Sequence, residues 1–413
     1  MTSRRVLAGP PLSAGPESFV DHERRLGPLP PAAGLIATLG ASGLLGRGGS
    51  GFPVARKWAA VADRSAGRAV VLANGAEGEP LSSKDRALMT ARPNLVLDGA
   101  ELAAAAVGAD RIILYVGREH TTALAAMEQA AIERTAARRG RQTSVPIELV
   151  AAPHSYIAGE ESAAVHFVNE GDARPTTKPP RPFERGVGRR STLVQNVESL
   201  AHVALIARYG ETWYREMGSG PTRGSAVVTV SGAVGHAGVT EIAHGTTTRD
   251  LATIAGAADG IGAVLLGGYF GGWVRAHEAW DLPLDPVALR SVGSTFGCGV
   301  VHFLPAEACG VRATAGILDF MAGQSAAQCG PCAFGLRAIA DAASRVATPS
   351  GRADGDVERL VRWSGQVDGR GACRHPDGAV GLLRSALRVF ADEFDRHERS
   401  GTCVQVDRRG WAA

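Results

Sequence analysis

The stretch RAVVLANGAEGEP, residues 68–80, passes from a short apolar run into a turn that carries two carboxylates. Residues 68–74 have the length and the apolar character of a buried strand. The turn follows at the strand's carboxyl end, where open parallel sheets bind nucleotides. Asn74 offers a donor and an acceptor there, and Glu77 and Glu79 can accept from ribose hydroxyls or a carboxamide. The alternative is an acidic turn that binds no ligand.

Helices and strands alternate on the C-terminal side of this stretch. Helical spacing occurs in residues 94–109 and 121–139, strand-like apolar runs occur in 111–117 and 147–153, and another helix is expected to start near Glu160. This alternation predicts a mostly parallel sheet with helical crossovers.

The pattern changes near residue 220. Strand signals in 225–234, 238–243 and 263–268, with a helix in 246–256, predict a small α+β unit. Beyond residue 305 helical spacing takes over and predicts a bundle. We therefore expect an N-terminal extension (1–40), an α/β domain (41–220), a small module (221–304) and a helical bundle (305–413).

Composition limits the classes of function. The 44 Lys and Arg residues against 41 Asp and Glu give a formal net charge of +3, with 45% hydrophobic and 21% charged residues. These values argue against a disordered chain and a basic nucleic-acid-coating protein. No apolar run reaches the ~18 residues of a membrane helix, and the N-terminal sequence lacks the apolar core of a signal peptide. We expect a cytoplasmic protein with no nucleic-acid partner and no direct membrane insertion.

Only three of the basic residues are lysines, and each lies in a motif segment: Lys57, Lys84 and Lys178. The predominance of arginine is typical of a biased base composition. A compact ammonium fits beside a phosphate or a stacked nucleotide where a planar guanidinium would clash. We therefore expect the three lysines to mark the walls of a binding site.

A glycine-rich segment, GRGGSGFPVARKW (46–58), precedes the first strand. Its glycines allow backbone amides to approach an anion closely, and Lys57 can complete a phosphate site. The alternative is a flexible surface turn. The segment YIAGEESAAV (156–165) places Glu160 and Glu161 at a predicted helix start, where a simple preference for negative charge is the alternative explanation. The stretches TKPPRPF and LVQNVES add Lys178 and Asn196 as polar candidates.

Clustered cysteines indicate a metal or redox site rather than disulfides. Cys329 and Cys332 have CxxC spacing, and Cys373 follows in GACRHPDG. Three thiolates fit an iron–sulfur cluster or zinc, although the usual number is four. Inert buried thiols are the alternative.

Together these segments resemble the family of NADH-binding, flavin-carrying subunits of respiratory complex I, which includes diaphorase subunits of NAD-linked hydrogenases and formate dehydrogenases. The family pattern runs approximately GRGGAGFPxxxKW, NADEGEPxxxKDR, YxxGEE, KPPxP, NNVE and CxxCxxC, followed by a more distant cysteine. Matching stretches appear here in the same order.

The resemblance implies a Rossmann-like α/β flavin domain, a ubiquitin-like α+β module of the β-grasp type, and a C-terminal helical bundle with a 4Fe–4S cluster. It implies that NADH passes a hydride to FMN and that single electrons continue to the cluster, with chemistry supplied by the cofactors. The implied partner is a ferredoxin or a ferredoxin-like iron–sulfur subunit.

The resemblance also implies the site residues. Those expected to contact FMN are Arg47, Gly48, Gly49, Gly51, Lys57, Asn74 and Asn196. Phe52 is expected near the adenine of NADH, and the dinucleotide pocket is expected to be lined by Glu77, Glu79, Tyr156, Gly159, Glu160 and Glu161, with Lys178 at its rim. Glu77 and Glu161 are the implied catalytic residues.

Three departures affect the nucleotide site, and one of them is Gln195 in place of the first Asn of NNVE. Gly75 and Ala76 replace Ala and Asp of the family turn, so one polar contact to the flavin is lost or supplied elsewhere. Arg181 stands where an aromatic residue usually follows KPP. A guanidinium can stack on adenine or pair with a 2′-phosphate. NADH is therefore favoured, and NADPH is the alternative.

The largest departure is at the cluster, because Ala326 stands where CxxCxxC should begin. Cys329, Cys332 and Cys373 hold the other three positions. The fourth ligand is left open. It is His375, which is our first choice, Cys403 or Ser325, or the protein supplies no fourth ligand. A three-iron cluster is a further alternative.

The leading hypothesis is an FMN-dependent NADH dehydrogenase of the diaphorase type. One alternative is a true complex I flavin subunit. A second, of a different class, is a nucleotide-binding or assembly protein with a decayed redox centre.

Overall fold

The computed structural model describes residues 4–137, 145–348 and 355–401. The chain folds into two compact units. The first contains the described residues up to Gly78, Ser82–Val228 and Val239–Gly245, and the second contains Glu79–Leu81, Thr229–Gly238 and the described residues from Thr246 onward.

The first unit is built around a four-stranded sheet with helices on both faces. Its elements are α1 (Phe19–Leu26), α2 (Leu35–Ser42), α3 (Val54–Ser65), β1 (Ala69–Gly75), α4 (Lys84–Ala91), α5 (Pro93–Val107), β2 (Ala109–Gly117), α6 (Thr121–Ala137), β3 (Ile147–Ala152), α7 (Glu161–Glu170), β4 (Thr192–Asn196) and α8 (Val197–Arg215). The chain then forms β5 (Ser225–Gly232) and β6 (Gly238–Ala243), which lie beside each other. Residues up to Val228 of β5 belong to the first unit, and its remaining residues belong to the second.

The sheet of the first unit has the strand order β3-β2-β1-β4, and all its pairs are parallel. The chain therefore runs from β1 to β2 and β3 on one side of β1 and returns to place β4 on the other side. This reversal is the topological switch point of an open α/β sheet, where a crevice opens at the carboxyl ends of the strands.

Strand β1 is buried on both faces, as its continuous apolar run predicts. Val70 and Leu72 belong to the core on the side of α7, whereas Ala69, Val71 and Ala73 belong to the larger core with helices α2, α3, α5 and α8. The period of two along the strand separates these two sets.

The second unit combines a mixed sheet with C-terminal helices. The sheet runs in the order β5-β9-β7-β8, with β5 parallel to β9 and antiparallel pairs thereafter. Its further elements are α9 (Thr248–Ala255), β7 (Ile261–Leu266), β8 (Gly272–Arg275), α10 (Ala276–Ala279), α11 (Pro286–Ser291), β9 (Val300–Pro305), α12 (Gly310–Gly323), α13 (Arg337–Ala347), α14 (Asp356–Val367), α15 (His375–Val389) and α16 (Ala391–Ser400). A π-helical turn, Pro331–Leu336, precedes α13.

The predicted mixed α/β fold with a parallel sheet and a helical C-terminal region is confirmed. The sequence did not reveal β4 and α8, because LVQNVES was considered only for its polar residues. It also did not reveal β8 and β9. None of the helices within the described ranges combines the length and the apolar character that a membrane crossing requires.

A buried cluster of charges lies beneath the carboxyl ends of β1 and β4. The Lys84 ammonium is 2.7 Å from Asp85 Oδ1 and 2.8 Å from Glu198 Oε2. Asn196 donates its Nδ2 to the other Asp85 oxygen at 2.7 Å. All three charged side chains are buried. Removing one member would leave an uncompensated charge in the core, which costs about 3–5 kcal/mol.

The cluster perturbs the titration of its members. Burial alone would lower the pKa of Lys84, but Asp85 and Glu198 outweigh it and raise this pKa. Burial would raise the pKa of Glu198, but Lys84 and Arg47 hold it low. Burial and the charges of Glu77 and Glu198 outweigh Lys84 at Asp85 and raise its pKa to about 7. Asp85 is therefore the carboxyl of the cluster that takes up a proton first.

The Asp85→Asn variant tests this assignment. The folded pKa of Asp85 lies above its ordinary value of 3.8, so the folded chain holds a proton that the unfolded chain releases between about pH 4 and pH 7. The carboxyl therefore lowers stability progressively as the pH rises through that window. We expect the free energy of unfolding of the variant to rise relative to wild type by up to about 1.4 kcal/mol per pH unit there. Urea unfolding across that range measures it, with Asp63→Asn on the exposed surface as the charge-matched control; a constant difference would contradict the assignment.

A second prediction concerns the contact between α5 and α8. A β-carbon on Gly99 would lie 2.0 Å from the carbonyl oxygen of Leu200, so the helices could not keep their separation. Gly99→Ala is expected to lower stability by roughly 1–3 kcal/mol. Gly40→Ala in α2 is the matched control, because its β-carbon would meet only the Ala55 β-carbon at 3.8 Å. The control is expected to gain about 0.5–1 kcal/mol, and equal melting temperatures for the two variants would refute the contact.

Candidate active site

The predicted site residues converge at the switch point of the first unit. Asn74, at the end of β1, and Asn196, at the end of β4, are register partners in the parallel pair. The NGAEGEP turn leaves β1 here, as predicted. The crevice between these two strand ends is where ligands bind in sheets of this type.

The glycine-rich segment forms a closed loop against Asn196. The Gly46 amide donates to the Phe52 carbonyl at 2.9 Å and closes the loop. A β-carbon on Gly48 would lie 3.3 Å from that of Asn196, so the loop backbone passes close to the end of β4. Gly49 and Gly51 have φ values of +102° and +63° and open space around them. These backbone angles favour glycine.

The side chain of Arg47 anchors this loop to the interior of the first unit. Its guanidinium is buried and donates to the hydroxyl of Tyr214 at 3.1 Å and to the carbonyl of Ser225 at 2.8 Å. Its Nε lies 3.7 Å from Glu198, and its backbone amide donates to Ser199 Oγ at 2.9 Å. The side chain therefore points into the protein, so a contact with FMN would come from the Arg47 backbone.

Lysines and carboxylates alternate along one wall of the crevice. Lys57, in α3, donates to the Val194 carbonyl at 2.9 Å and lies 3.4 Å from Glu161. Lys178 lies 3.6 Å from the other Glu161 oxygen and forms an ion pair with Glu160. Glu161 thus bridges two ammonium groups, and all four side chains are only partly buried.

Glu160 determines where α7 begins. Its carboxylate accepts from the amides of Ser162 at 2.9 Å and Ala163 at 3.1 Å, which satisfies free donors at the helix start. The predicted helix near Glu160 is therefore confirmed, and Glu160 is its N-cap. The capping role leaves Glu161 as the first helical residue, with its side chain toward Lys57.

The turn Tyr156–Gly159 packs directly on the NGAEGEP turn. Asn74 donates its Nδ2 to the Gly159 carbonyl at 2.9 Å and accepts from the Ala76 amide at 3.2 Å. A β-carbon on Gly78 would lie 2.7 Å from Tyr156 Cα, and one on Gly159 would lie 2.9 Å from the Ala76 carbonyl. Both glycines are needed for this backbone contact. The Ala76 carbonyl therefore lies against the backbone of the Tyr156–Gly159 turn. The related family turn carries Asp at the position of Ala76.

Glu77 caps helix α4. Its carboxylate accepts from Ser82 Oγ at 2.6 Å and from the amides of Asp85 and Arg86 at 3.0 Å. These bonds hold Lys84 and Asp85 in place at the helix start. The structure thus gives Glu77 a structural task, and its catalytic role remains a prediction.

Glu79 and Phe52 differ in their placement in the two units. Glu79 belongs to the second unit, where its carboxylate accepts from the Tyr269 amide at 2.9 Å. Phe52 belongs to the first unit and is 48% exposed at the tip of the glycine-rich loop. An exposed aromatic ring at this edge can offer a stacking face to a base.

The first unit fits a phosphate-bearing flavin. The amides of Gly48, Gly49, Ser50 and Gly51 lie in the loop that the Gly46–Phe52 bond closes. Helix α3 starts just beyond the loop, and its N-terminus favours an anion. The Lys57 ammonium adds a cation, so the donor set suits a phosphate.

The cysteines predicted to bind a cluster come together in the second unit. Burial, with the neighbouring thiols of Cys329 and Cys373, raises the pKa of Cys332 to about 12, and a hydrogen bond from the Ala327 amide opposes this rise. Thiolates are the donors that iron–sulfur clusters require, and these three are one short of the usual four. The described residues contain no group of three or more His, Cys, Asp or Glu side chains arranged around a single metal ion.

The candidates for a fourth ligand have different positions. His375 is buried as the first residue of α15, and its Nε2 lies 2.8 Å from the Met321 carbonyl. Burial lowers its pKa. Coordination by His375 would have to use Nδ1. Ser325 lies in the loop after α12, and Cys403 lies outside the described residues.

Sequence reasoning missed the supporting residues Asp85, Glu198, His202 and Tyr214. Asp85 orients Asn196, and Glu198 contacts Lys84 and lies near Arg47. The available signal was the charged triplet of Lys84, Asp85 and Arg86 within a motif segment. Their partners on α8 could not be identified without knowing that β4 lies beside β1.

Known protein families match both parts of the chain. The family described as "Nuo51 FMN-binding domain" matches residues 39–205. The family described as "NADH-ubiquinone oxidoreductase-F iron-sulfur binding region" matches residues 312–397. The first match spans the glycine-rich loop, the switch point and the Glu161 wall. The second spans the three cysteines.

Several similar proteins carry related names. An NADH-quinone oxidoreductase subunit of Rhizobium meliloti is 31% identical over 88% of this chain and 88% of the relative. NADP-reducing hydrogenase subunit HndC of Solidesulfovibrio fructosivorans is 27% identical over 88% of this chain and 75% of the relative.

The solved structure of a NAD+-reducing NiFe-hydrogenase in the H2-reduced state has a TM-score of 0.81 and 30% identity over 89% of this chain. This chain covers 63% of that hydrogenase chain. The matched families, the 31% identity over nearly the full length of a relative and the site geometry agree with one another. This chain belongs to the family of the flavin- and iron–sulfur-carrying subunits of NADH-quinone oxidoreductases.

Proposed function

We propose that the chain oxidises NADH at an FMN held in the first unit and passes single electrons to an iron–sulfur centre held by the C-terminal helices. A ferredoxin or ferredoxin-like iron–sulfur subunit then takes the electrons. The observation that carries this proposal is the convergence of the glycine-rich loop, Asn74, Asn196, Lys57 and Glu161 at the switch point.

The proposed binding roles follow from the donors and acceptors in the crevice. The backbone amides of the glycine-rich loop, residues 48–51, and Lys57 bind the FMN phosphate. Asn74 and Asn196 orient the flavin from the ends of β1 and β4. Bound FMN supplies hydride acceptance and one-electron release. Glu161, held between two lysines, accepts hydrogen bonds from the nucleotide hydroxyls.

The remaining predicted contacts complete the dinucleotide pocket. Glu77, Tyr156, Gly159 and Glu160 line it, and Lys178 closes its rim. The role of Glu79, which belongs to the second unit, in dinucleotide binding stays a prediction. Phe52, exposed at the loop tip, stacks on the adenine.

The domain division is also a proposal. We assign residues 1–40 to an extension, 41–220 to the FMN and NADH domain, 221–304 to a ubiquitin-like β-grasp module and 305–413 to the iron–sulfur bundle. The mixed sheet and the helix α9, which follows β6 in the chain, support the β-grasp assignment.

NADH is the proposed donor, with NADPH as the lesser alternative. The exposed Arg181 can stack on adenine or pair with a 2′-phosphate. Its amide donates to Glu184 Oε2 at 2.8 Å, which places a carboxylate beside the same turn. A negative charge there opposes an additional phosphate. Equal kcat/KM for NADH and NADPH would contradict the preference.

Two other functions are distinguishable from this one. A complex I flavin subunit would copurify with quinone-reducing partner subunits. A nucleotide-binding protein with a decayed redox centre would take up no FMN, and the ordered ion pairs of Lys57 and Glu161 argue against it. The proposed location is cytoplasmic, either free or peripheral to a membrane complex.

The activity prediction centres on Glu161. Protein purified with its cofactors is expected to be yellow-brown and to reduce ferricyanide with NADH. Glu161→Gln removes a charged acceptor worth about 1.5–3 kcal/mol, so we expect kcat/KM for NADH to fall roughly 10- to 100-fold. Glu170→Gln, exposed at the other end of the same helix, is the matched control and should keep wild-type activity. Colourless protein that takes up no FMN would exclude the flavin function.

The binding prediction centres on Lys57. Its ammonium reaches both the Val194 carbonyl and Glu161, and the wider planar guanidinium of Lys57→Arg cannot keep this geometry. We expect FMN affinity to fall roughly tenfold or more, equivalent to at least about 1.4 kcal/mol, despite the unchanged charge. Fluorescence titration of FMN measures this, with the exposed neighbour variant Arg56→Lys as the control. Unchanged FMN affinity in Lys57→Arg would show that any cation serves.

A further inference from the structure

Two thiols of the iron–sulfur region lie near a third, that of Cys332. Cys329 and Cys332 flank the start of the π-helical turn Pro331–Leu336, and Cys373 lies shortly before the start of α15. The Cys332 thiol is hydrogen-bonded with that of Cys329 and lies near that of Cys373. Cys332 is 5% exposed, and the other two thiols are half-buried. Insertions of the π type occur frequently at functional sites.

The backbone of the same loop is arranged for a cluster. Ala327 has a φ of +52°, a conformation that costs a residue with a β-carbon about 1–2 kcal/mol. The Ala327 amide lies near the Cys332 thiol and favours its charged form. Hydrogen bonds from amides to sulfur are one of the means by which proteins tune such clusters. The loop therefore retains a strained geometry that an inert set of thiols would not need.

The donor count is nevertheless one short. A 4Fe–4S cluster ordinarily has four cysteine ligands. Position 326, three residues before Cys329, is an alanine with no donor atom in its side chain. His375 already engages the Met321 carbonyl through Nε2. The loop thus presents two thiols, Cys329 and Cys332, and the Ala326 methyl group at the spacing of a cysteine motif, and Cys373 adds the third thiol.

We propose that Cys329, Cys332 and Cys373 hold the cluster by themselves, and that the coordination position facing Ala326 binds a small ligand from solution. The ligand class is a water or hydroxide, an imidazole or a low-molecular-weight thiolate. This inference rests on the proposed function only in requiring a cluster in the second unit, and it does not depend on the flavin.

An iron without a protein ligand is easily lost on oxidation. Ferricyanide would take one electron from the oxidised 4Fe–4S centre and become ferrocyanide. The iron at the open position would leave as ferrous ion, and a three-iron, four-sulfide centre would remain on the three thiolates. A fourth thiolate from the protein would hold that iron in place.

The experiment compares wild type with Ala326→Cys, which supplies the fourth thiol, and with Ala326→Ser, which has nearly the same size and is a poor ligand. All three proteins are reconstituted anaerobically, treated with ferricyanide in the absence of NADH, and analysed for iron and by EPR. We expect wild type and Ala326→Ser to lose one iron per chain and to show the signal of an oxidised three-iron cluster. Ala326→Cys is expected to keep its iron and to lack that signal.

A second measurement follows ligand binding at the open position. Imidazole or 2-mercaptoethanol, added to the dithionite-reduced wild type, is expected to change the EPR spectrum of the cluster, and to leave the spectrum of Ala326→Cys unchanged. Spectra of wild type that do not respond would overturn the proposal. Full retention of iron by oxidised wild type would also overturn it.

Variants of the remaining candidate ligands complete the test. Cys403→Ser, His375→Gln and Ser325→Ala should behave as wild type in iron content and EPR. A changed spectrum in any of these variants would identify a protein ligand and overturn the proposal. Wild type that binds FMN but no iron would overturn it while leaving the flavin function intact. A protein that binds no FMN but loses one iron on oxidation, and keeps it in the Ala326→Cys variant, would refute the proposed function and still support this inference.

Discussion

The parallel pairing of β1 with β4 is the constraint on which the candidate site depends. It places Asn74 beside Asn196 and opens the crevice at their carboxyl ends. It also starts α8 directly after Asn196, so that Glu198 lies beneath the loop and beside Lys84. A shift of this register by one residue would turn every side chain of β4 to the opposite face. The glycine-rich loop would then lose the surface on which it rests.

Close contacts between backbone segments, made possible by glycines that lack side chains, give the crevice its shape. The turn after β1 and the turn before α7 touch through Gly78 and Gly159, where a β-carbon would collide with backbone. Asn74 bonds to the same turn through the Gly159 carbonyl. Rigid backbone therefore fixes the distance between the turns, while Lys57 and Glu161 remain partly exposed and available to a ligand. This arrangement keeps the binding groups preorganised, which lowers the entropic cost of binding.

The sequence predicted the elements with strong local signals and missed those defined by tertiary contacts. The alternation from β1 to β3 and the helix start at Glu160 were recognisable because apolar runs and caps are local features. Strand β4 has five residues, and its motif was considered for polarity alone. The site residues came from motif order, but motif order could not show that Arg47 turns inward or that Glu77 caps α4. Such tasks depend on neighbours that are distant in the chain.

The three lysines illustrate how packing selects between two cations. Lys84 is 2% exposed and has two carboxylates within 2.8 Å, so its compact ammonium is well satisfied. A guanidinium there would bring five donors in a fixed plane and leave some of them buried without acceptors, which is costly. Arg47 shows the opposite case, because a phenol, a carbonyl and a carboxylate surround its planar group. A biased base composition can replace lysine by arginine only where acceptors are spread around the plane of the guanidinium. The surroundings of Arg47 supply such acceptors, and those of Lys84 do not.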